Sequence, residues 1–282
     1  MSTVKRQPSR PRASVVEAAA IQTRFGPATG RDGKEFMASL AKGLAVLAAF
    51  GPARPSMSLT EAAAVAGLSR AAARRVLLTL GELGYVEQRG RDFALSPRIL
   101  DLGFAYLSIL SWVERTEPLL KELSSEFQEA ATAATLHGAE AIVVAQSSAP
   151  VWIMSSTMAV GTRLPAFHSA LGRIQLGYLD DEEIWKRLRA LSIEQYTPST
   201  ITDLAALVER VKSDRAQGFS MVDEELERGL RALAVPLVAH SGAVVGAINL
   251  SGHSARTTRN EMRDRYLPRL RATAELISKF IV

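Results

Sequence analysis

The sequence predicts an α+β chain in which a small winged helix-turn-helix part precedes a larger part of mixed strands and helices. Three observations predict it. Residues 58–95 carry two short helix patterns, a tight turn and a hairpin pattern in unbroken succession. From residue 130 onward, short apolar strand patterns interleave with amphipathic helix patterns, which indicates a sheet flanked by helices. Of the 282 residues, 47% are hydrophobic, enough to build a core in each part. The expected divisions are a disordered basic tail over 1–34, a winged domain over 35–96, a linker helix over 97–115 and a second domain over 116–282.

The tail holds Pro8, Pro11, Gly26, Pro27, Gly30 and Gly33, and its seven basic residues face two acidic ones. That composition reads as disordered. It either adds nonspecific affinity for a polyanion or is a passive solubilising tail. Residues 37–47 read as a helix with Leu40, Leu44 and Leu47 on one face, ended by Gly51-Pro52. Ser58 and Glu61 then form a capping box: the serine oxygen takes one orphan amide, and the glutamate reaches back to the cap. Gly67 ends that helix in left-handed backbone, Leu68 packs inward and Ser69 caps the next helix. Along it Ala73, Val76, Leu77 and Leu80 fall at helical spacing as the buried stripe. Gly84 stops it. Tyr85–Gln88 and Phe93–Leu95 read as a hairpin around Arg89-Gly90-Arg91-Asp92.

Ser69, Arg70, Ala71, Arg74, Arg75 and Leu78 lie off the buried stripe, and Arg89 and Arg91 sit at the hairpin tip. On an isolated helix, three arginines are merely a solvated face. Here caps, turn, stripe and hairpin agree with one another. Together they form the arrangement that lays a helix in the major groove of DNA and a basic wing on the adjacent backbone or minor groove. Charge distribution supports this: residues 1–34 carry +5, residues 35–98 carry eight basic against five acidic residues, and the remainder carries 19 against 22. The positive half can neutralise phosphates.

Ser96-Pro97 starts a further helix, with Ile99, Leu102, Tyr106, Ile109, Leu110 and Val113 at helical spacing. It carries contacts of a homodimer or is buried against its own chain. Pro118 is expected to open the next helix, through Leu119, Leu120, Leu123 and Phe127. Ala133–His137 and Ile142–Gln146 read as strands paired around Gly138, and Val151-Trp152-Ile153-Met154 as a third. His168–Leu179 and Leu204–Gln217 read as helices. Ala232–Val238 and Val244–Leu250 read as strands, and Asn260–Phe280 as a closing helix.

Several function classes are disfavoured. The chain has no cysteine, so neither disulfides nor thiolate zinc sites arise. His137, His168, His240 and His253 show no metal-ligand spacing. No Gly-x-Ser-x-Gly turn and no phosphate-binding glycine loop occur. No catalytic residue, metal or cofactor is therefore expected, and the chain is not read as an enzyme. No apolar run approaches the length of a membrane span, and the N-terminal basic residues are not followed by the apolar core of a secretory signal. The expected location is the cytoplasm.

In order and spacing, several segments resemble the IclR family of transcriptional regulators. They are Ser39-Leu40-Ala41-Lys42-Gly43-Leu44, Gly67-Leu68-Ser69 with Arg75, Gly84-Tyr85-Val86, Gly161–Ala166 with Gly172-Arg173, Asp223-Glu224-Glu225, and Gly229–Pro236. The first of these and the Gly-Thr-Arg-Leu-Pro-Ala form resemble the branch that answers to aromatic acids and their catabolites. The resemblance implies a GAF-like effector-binding domain that takes a small organic acid, a double-stranded DNA operator as partner, and a homodimer or homotetramer. It places Ala170, Leu171, Val222, Ala232, Asn249 and Ser251 along the pocket. Val222 stands where the family often has a polar residue, Phe167 where it often has His or Tyr, and His168 where it often has a small residue; these departures suit a ring. Ala71 and Ala72 replace the usual hydroxyl residues, leaving more of the DNA contact to Arg70, Arg74 and Arg75.

An aromatic carboxylate needs an apolar slot with a cation or a few donors. Arg163 is either a bidentate clamp or half of a structural salt bridge. Ser169, Asn249 and Ser251 are candidate donors. Asn249, in an otherwise apolar strand, needs either a buried partner or a ligand. Trp152 and Phe167 either wall a ring or are ordinary core. Arg231, near Glu224 and Glu225, is expected to hold a turn. The resulting expectation is a regulator that answers to an aromatic acid. The alternatives are one that answers to a small aliphatic keto acid such as glyoxylate or pyruvate, and a ligand-free architectural DNA-binding protein.

Overall fold

The computed structural model describes residues 36–147 and 158–281. The expectations for the tail over 1–34 and for a strand at 151–154, with Trp152, lie outside the described residues. The chain divides into two compact units, residues 1–106 and 107–282.

In the first unit, α1 (Ala38–Ala48) is followed by β1 (Ser56–Ser58), α2 (Leu59–Val65), α3 (Arg70–Glu82), β2 (Val86–Arg89) and β3 (Asp92–Leu95). The three strands form an antiparallel sheet with β3 in the centre; Phe93 lies opposite Met57 on one side and Gln88 on the other. The capping box forms as the sequence predicts. Ser58 Oγ accepts from the Glu61 amide at 3.3 Å, and Glu61 Oε2 accepts from the Ser58 amide at 2.7 Å. Gly67, Gly84 and the hairpin glycine Gly90 all have positive φ, where an added side chain would be strained. Val46, Met57, Ala62, Val65, Leu77 and Phe93 make the core. One expectation changes: α1 turns Ala45, Val46 and Ala49 inward and leaves Leu40 and Leu44 exposed. Residues of small volume lie where α1 meets α3, and the larger leucines stay outside.

A single turn of 3-10 helix at Pro97–Ile99 leads into α4 (Leu100–Ile109), which buries none of its residues. The helical run does not continue unbroken to residue 115. Leu110 leaves helical backbone, with φ −83° and ψ 72°, and α5 (Ser111–Phe127) starts afresh. Pro118 opens no helix; it lies inside α5, where its missing N–H leaves the Glu114 carbonyl without its helical partner.

The second unit is built on a six-stranded antiparallel sheet. Its members are β4 (Ala130–His137), β5 (Glu140–Ser147), β6 (Arg163–Pro165), β7 (Ser220–Asp223), β8 (Leu230–Val238) and β9 (Val244–His253), in the order β6-β5-β4-β9-β8-β7. On one face, Ala131, Ala133, Leu233, Val235, Ile248 and Leu250 pack against α5 and the closing helix α9 (Leu267–Ser278). A π-helical turn at Met262–Tyr266 precedes α9. On the other face lies α6 (Ala170–Leu176), and every residue of it is buried. Outside α6 sit α7 (Asp181–Arg189) and α8 (Leu204–Gln217), whose Ile184, Leu188, Leu207 and Val211 close a further apolar cluster. α6 is thus an inner layer between sheet and outer helices. Gly172 makes this possible: a Cβ there would lie 2.3 Å from the Ala166 Cα.

Candidate functional site

The first unit presents a basic face. Ser69 caps α3 by accepting from the Ala72 amide at 3.2 Å. Ala73, Leu77 and Leu80 point inward, while Arg70, Ala71, Arg74, Arg75 and Leu78 are exposed. Arg70 and Arg74 are one helical turn apart, as are Ala71, Arg75 and Leu78, so they form adjoining rows. Among the described residues, Arg70, Arg74 and Arg75 make no ion pair. Their guanidinium groups are open to an anion from solution. In the hairpin, Arg91 is exposed at the tip and Arg89 pairs with Glu87 at 3.0 Å, an exposed contact that is worth little in water.

In the second unit, the α6 face of the sheet is lined with small residues. Thr132 of β4, Asn249 of β9 and Ala234 of β8 are direct cross-strand neighbours in one row. The next row is Ala130, Ser251, Ala232 and Val222, and the row on the other side is Ala134, Ala247 and Pro236. Ala170, Leu171 and Ile174 of α6 pack over these rows. Thr132 is 0% exposed and Asn249 3% exposed. Thr132 Oγ1 and Asn249 Oδ1 are both buried without a hydrogen-bond partner. A buried polar atom left in that state costs about 1–3 kcal/mol, so two side by side in an otherwise satisfied sheet need an explanation.

Of the sequence-predicted pocket residues, the structure brings together Ser169, Ala170, Leu171, Val222, Ala232, Asn249 and Ser251 around this α6 face. Ser169 caps α6, accepting from the Gly172 amide at 3.2 Å. Three others go elsewhere. Leu164 packs with the α6 cluster, so its strand neighbour Arg163 points to the opposite face of β6. There Arg163 binds Glu140 at 2.5 Å, the structural salt bridge rather than the clamp. Phe167 belongs to the outer cluster with Ile184 and Leu207, and does not wall the row. His168 also turns outward: its Nε2 lies 2.9 Å from the Ile201 carbonyl and its ring meets Tyr196 edge-on at 5.6 Å. Burial holds the His168 pKa below its ordinary value, against the Ile201 hydrogen bond.

Two features were not anticipated as site residues. Thr132 became visible only through register, since nothing in its alanine-rich strand marks it. The other is the Arg173 network. Arg173, 0% exposed, donates to the Phe167 carbonyl from Nε and Nη2 at 3.0 and 2.8 Å, and to both carboxylate oxygens of Glu225 at 3.0 and 2.5 Å. Asp214 lies 3.9 Å away and accepts from the Ser220 hydroxyl. Burial pushes the Asp214 carboxyl above its ordinary range, opposed by Ser220, Arg173 and Arg210. The network ties α6 to α8 and to the turn after β7, and so fixes the lid over the rows. Arg231 does hold a turn, through a different acid than expected. It takes both oxygens of Asp223 at 2.8 and 3.0 Å and reaches the Ser254 and Thr257 carbonyls. Burial works to raise the Asp223 pKa, but hydrogen bonds from Arg231 and Arg259 hold it below the ordinary value.

Two family models match the chain: the IclR helix-turn-helix domain over residues 39–90 and the C-terminal domain of the bacterial transcriptional regulator IclR over residues 104–279. The Pca regulon regulatory protein of Pseudomonas putida is 39% identical over 240 residues, covering 85% of this chain and 82% of that protein. The p-hydroxybenzoate hydroxylase transcriptional activator of Acinetobacter baylyi is 32% identical over 252 residues, covering 88% and 93%. Among solved structures, a double mutant of the PobR inducer-binding domain from Acinetobacter, in complex with 3-hydroxybenzoic acid, superimposes with a TM-score of 0.55 at 27% identity. It covers 58% of this chain and 96% of that one.

Proposed function

We propose, from the premise that this chain belongs to the IclR family of bacterial transcriptional regulators, that it is a DNA-binding regulator controlled by a small aromatic acid or its catabolite and acting on genes of aromatic degradation. The observation that carries the ligand half of this reading is the buried pair Thr132 and Asn249, whose polar atoms lack partners under α6. The names of the similar proteins support the chemistry, since one regulates p-hydroxybenzoate hydroxylase and a related domain binds 3-hydroxybenzoic acid. Ala170, Leu171, Ala232, Asn249 and Ser251 are the ligand-facing set, with Ser169 at the end of α6.

On the DNA side, Ser69, Arg70, Ala71, Arg74 and Arg75 enter the major groove, while Arg89 and Arg91 follow the backbone or the minor groove. Regulation is by population shift: the acid binds one arrangement of the protein better than another. Moving an equilibrium from 1:99 to 99:1 takes about 5.5 kcal/mol of differential binding, more than one weakly bound acid supplies. Two copies reading two half-sites share that cost. The exposed apolar side chains of α4, among them Leu100, Phe104 and Ile109, support a homo-oligomer assembled along this helix. Among the described residues no helix is long and apolar enough to cross a membrane, and work on DNA puts the protein in the cytoplasm. Its task is binding rather than turnover.

A thermal-shift titration tests the reading, because a ligand that binds only the native state raises the melting temperature. The acids are 4-hydroxybenzoate, protocatechuate, β-ketoadipate, pyruvate and glyoxylate. The expected result is a dose-dependent rise with an aromatic acid, worth about 2.7 kcal/mol at 100 times its Kd. A rise with pyruvate or glyoxylate alone would make the effector aliphatic, and a flat response to all five would remove the aromatic reading.

A further inference from the structure

Asn249 Oδ1 is a hydrogen-bond acceptor, buried and unused, and directly across the strand pair from it lies the unused Thr132 Oγ1. Cross-strand neighbours on one face bring their side chains within reach of a single small group. The three rows around them contain no charged side chain: Gln146, Thr132, Asn249, Ala234 and Ser220; Ala130, Ser251, Ala232 and Val222; Val143, Ala134, Ala247 and Pro236. A carboxylate has no proton to give and would leave Asn249 Oδ1 unpaired. A hydroxyl fits both partners. It donates its proton to Asn249 Oδ1 and accepts from Thr132 Oγ1–H, so each orphaned atom is satisfied once.

We infer that Thr132, acting with Asn249, is a specificity-determining residue that reads a neutral hydroxyl of the effector. The protein therefore separates a hydroxylated aromatic acid from the same acid without the hydroxyl, and the effector's carboxylate lies away from this row. The inference rests on the aromatic-acid reading above and adds which end of the molecule meets the sheet. Discrimination follows because an analogue lacking the hydroxyl leaves both protein atoms buried and unpaired.

The test is calorimetric titration of the full chain with benzoate, 3-hydroxybenzoate and 4-hydroxybenzoate, repeated on Thr132→Val and Thr132→Ser. In the unchanged protein one hydroxybenzoate should bind at least about 10-fold more tightly than benzoate. Thr132→Val is nearly isosteric; it should lose most of that preference while binding benzoate no worse. Thr132→Ser keeps the hydroxyl and should retain the preference. The ligand-free melting temperature of Thr132→Val should match or exceed that of the unchanged protein, since a methyl group replaces an unpaired hydroxyl. A purely structural threonine would instead lower it and leave the preference intact. Equal binding of benzoate and both hydroxybenzoates, or a preference that survives Thr132→Val, would overturn this inference and leave the aromatic-acid reading standing. Binding of none of the three, together with a flat response in the thermal-shift series, would overturn both.

Discussion

The helices α3 and α6 both begin at a serine whose hydroxyl oxygen takes the amide three residues on, Ala72 for Ser69 and Gly172 for Ser169, each at 3.2 Å. Both carry arginine. Beyond that they diverge. α3 keeps Arg70, Arg74 and Arg75 in water with no ion pair among the described residues, whereas α6 is buried along its whole length and Arg173 is held by Glu225 and the Phe167 carbonyl. The same local chemistry therefore serves opposite ends. An exposed arginine with no partner is available to phosphate, because hydration is cheaply exchanged at a surface. A buried arginine with four of its five N–H donors engaged is structural, and whatever binds beside it is met chiefly by other atoms.

The largest test of that contrast is Arg173→Met. It leaves Glu225 buried without its cation and Asp214 with Arg210 alone, so unfolding by urea should show a loss of about 3–5 kcal/mol. A loss below about 1 kcal/mol would mean the network is not structural. Arg74→Ala should do the reverse. Its DNA affinity should fall by about 1–3 kcal/mol in a gel-shift titration at fixed salt, with stability changed by less than about 0.5 kcal/mol. Equal affinity would remove Arg74 from the DNA face.

The caps should differ more subtly. Ser169→Ala and Ser69→Ala each lose a cap worth about 1 kcal/mol. The Gly172 amide is buried and the Ala72 amide exposed, so water replaces the cap only at α3 and the chemical-denaturation midpoint should fall further for Ser169→Ala. A larger fall for Ser69→Ala would contradict the burial argument. The smallest effect concerns His168, on the turn that leads into α6. Burial keeps its ring neutral below the usual histidine range. The stability it contributes is therefore present above about pH 6.5 and is lost as the pH falls through its depressed pKa. Melting temperatures of the unchanged protein and of His168→Gln should differ more at about pH 7.5 than at about pH 5.5. A gap that widens on acidification would show the charged ring to be the stable one.

Elements whose signal is local were legible in the sequence. The Ser58–Glu61 box, the Ser69 cap, the hairpin around Gly90 and the strand pair around Gly138 depend on residues close in the chain, and the structure places them where the patterns put them. α7 is hidden in the sequence although Asp180 caps it, its first turn is acidic and its last turn basic; its polar composition masks the Ile184 and Leu188 pair. The short edge strand β7 offered only four residues of pattern. The candidate site was half legible. Asn249 and Ser251 stood out as polar residues in an apolar strand, but Thr132 is defined by what lies across from it, and register is a tertiary fact. Phe167 and His168 fell on the wrong side because α6 has core on both sides, which periodicity cannot divide. Pro118 misled for a different reason: the rule that proline opens helices is strong, yet α5 carries one in its interior.

The account's central claim is that one chain couples an aromatic-acid cleft to a DNA-reading helix. Its most direct test is a fluorescence-anisotropy titration of the full chain on a duplex selected from random sequences, at one fixed salt concentration, with and without saturating hydroxybenzoate. The account predicts that the acid changes duplex affinity by about 5- to 150-fold, the usual range of coupling between two sites. It also predicts that Asn249→Ala loses this response while binding the bare duplex normally. An acid that raises the melting temperature yet leaves duplex affinity unchanged would contradict it.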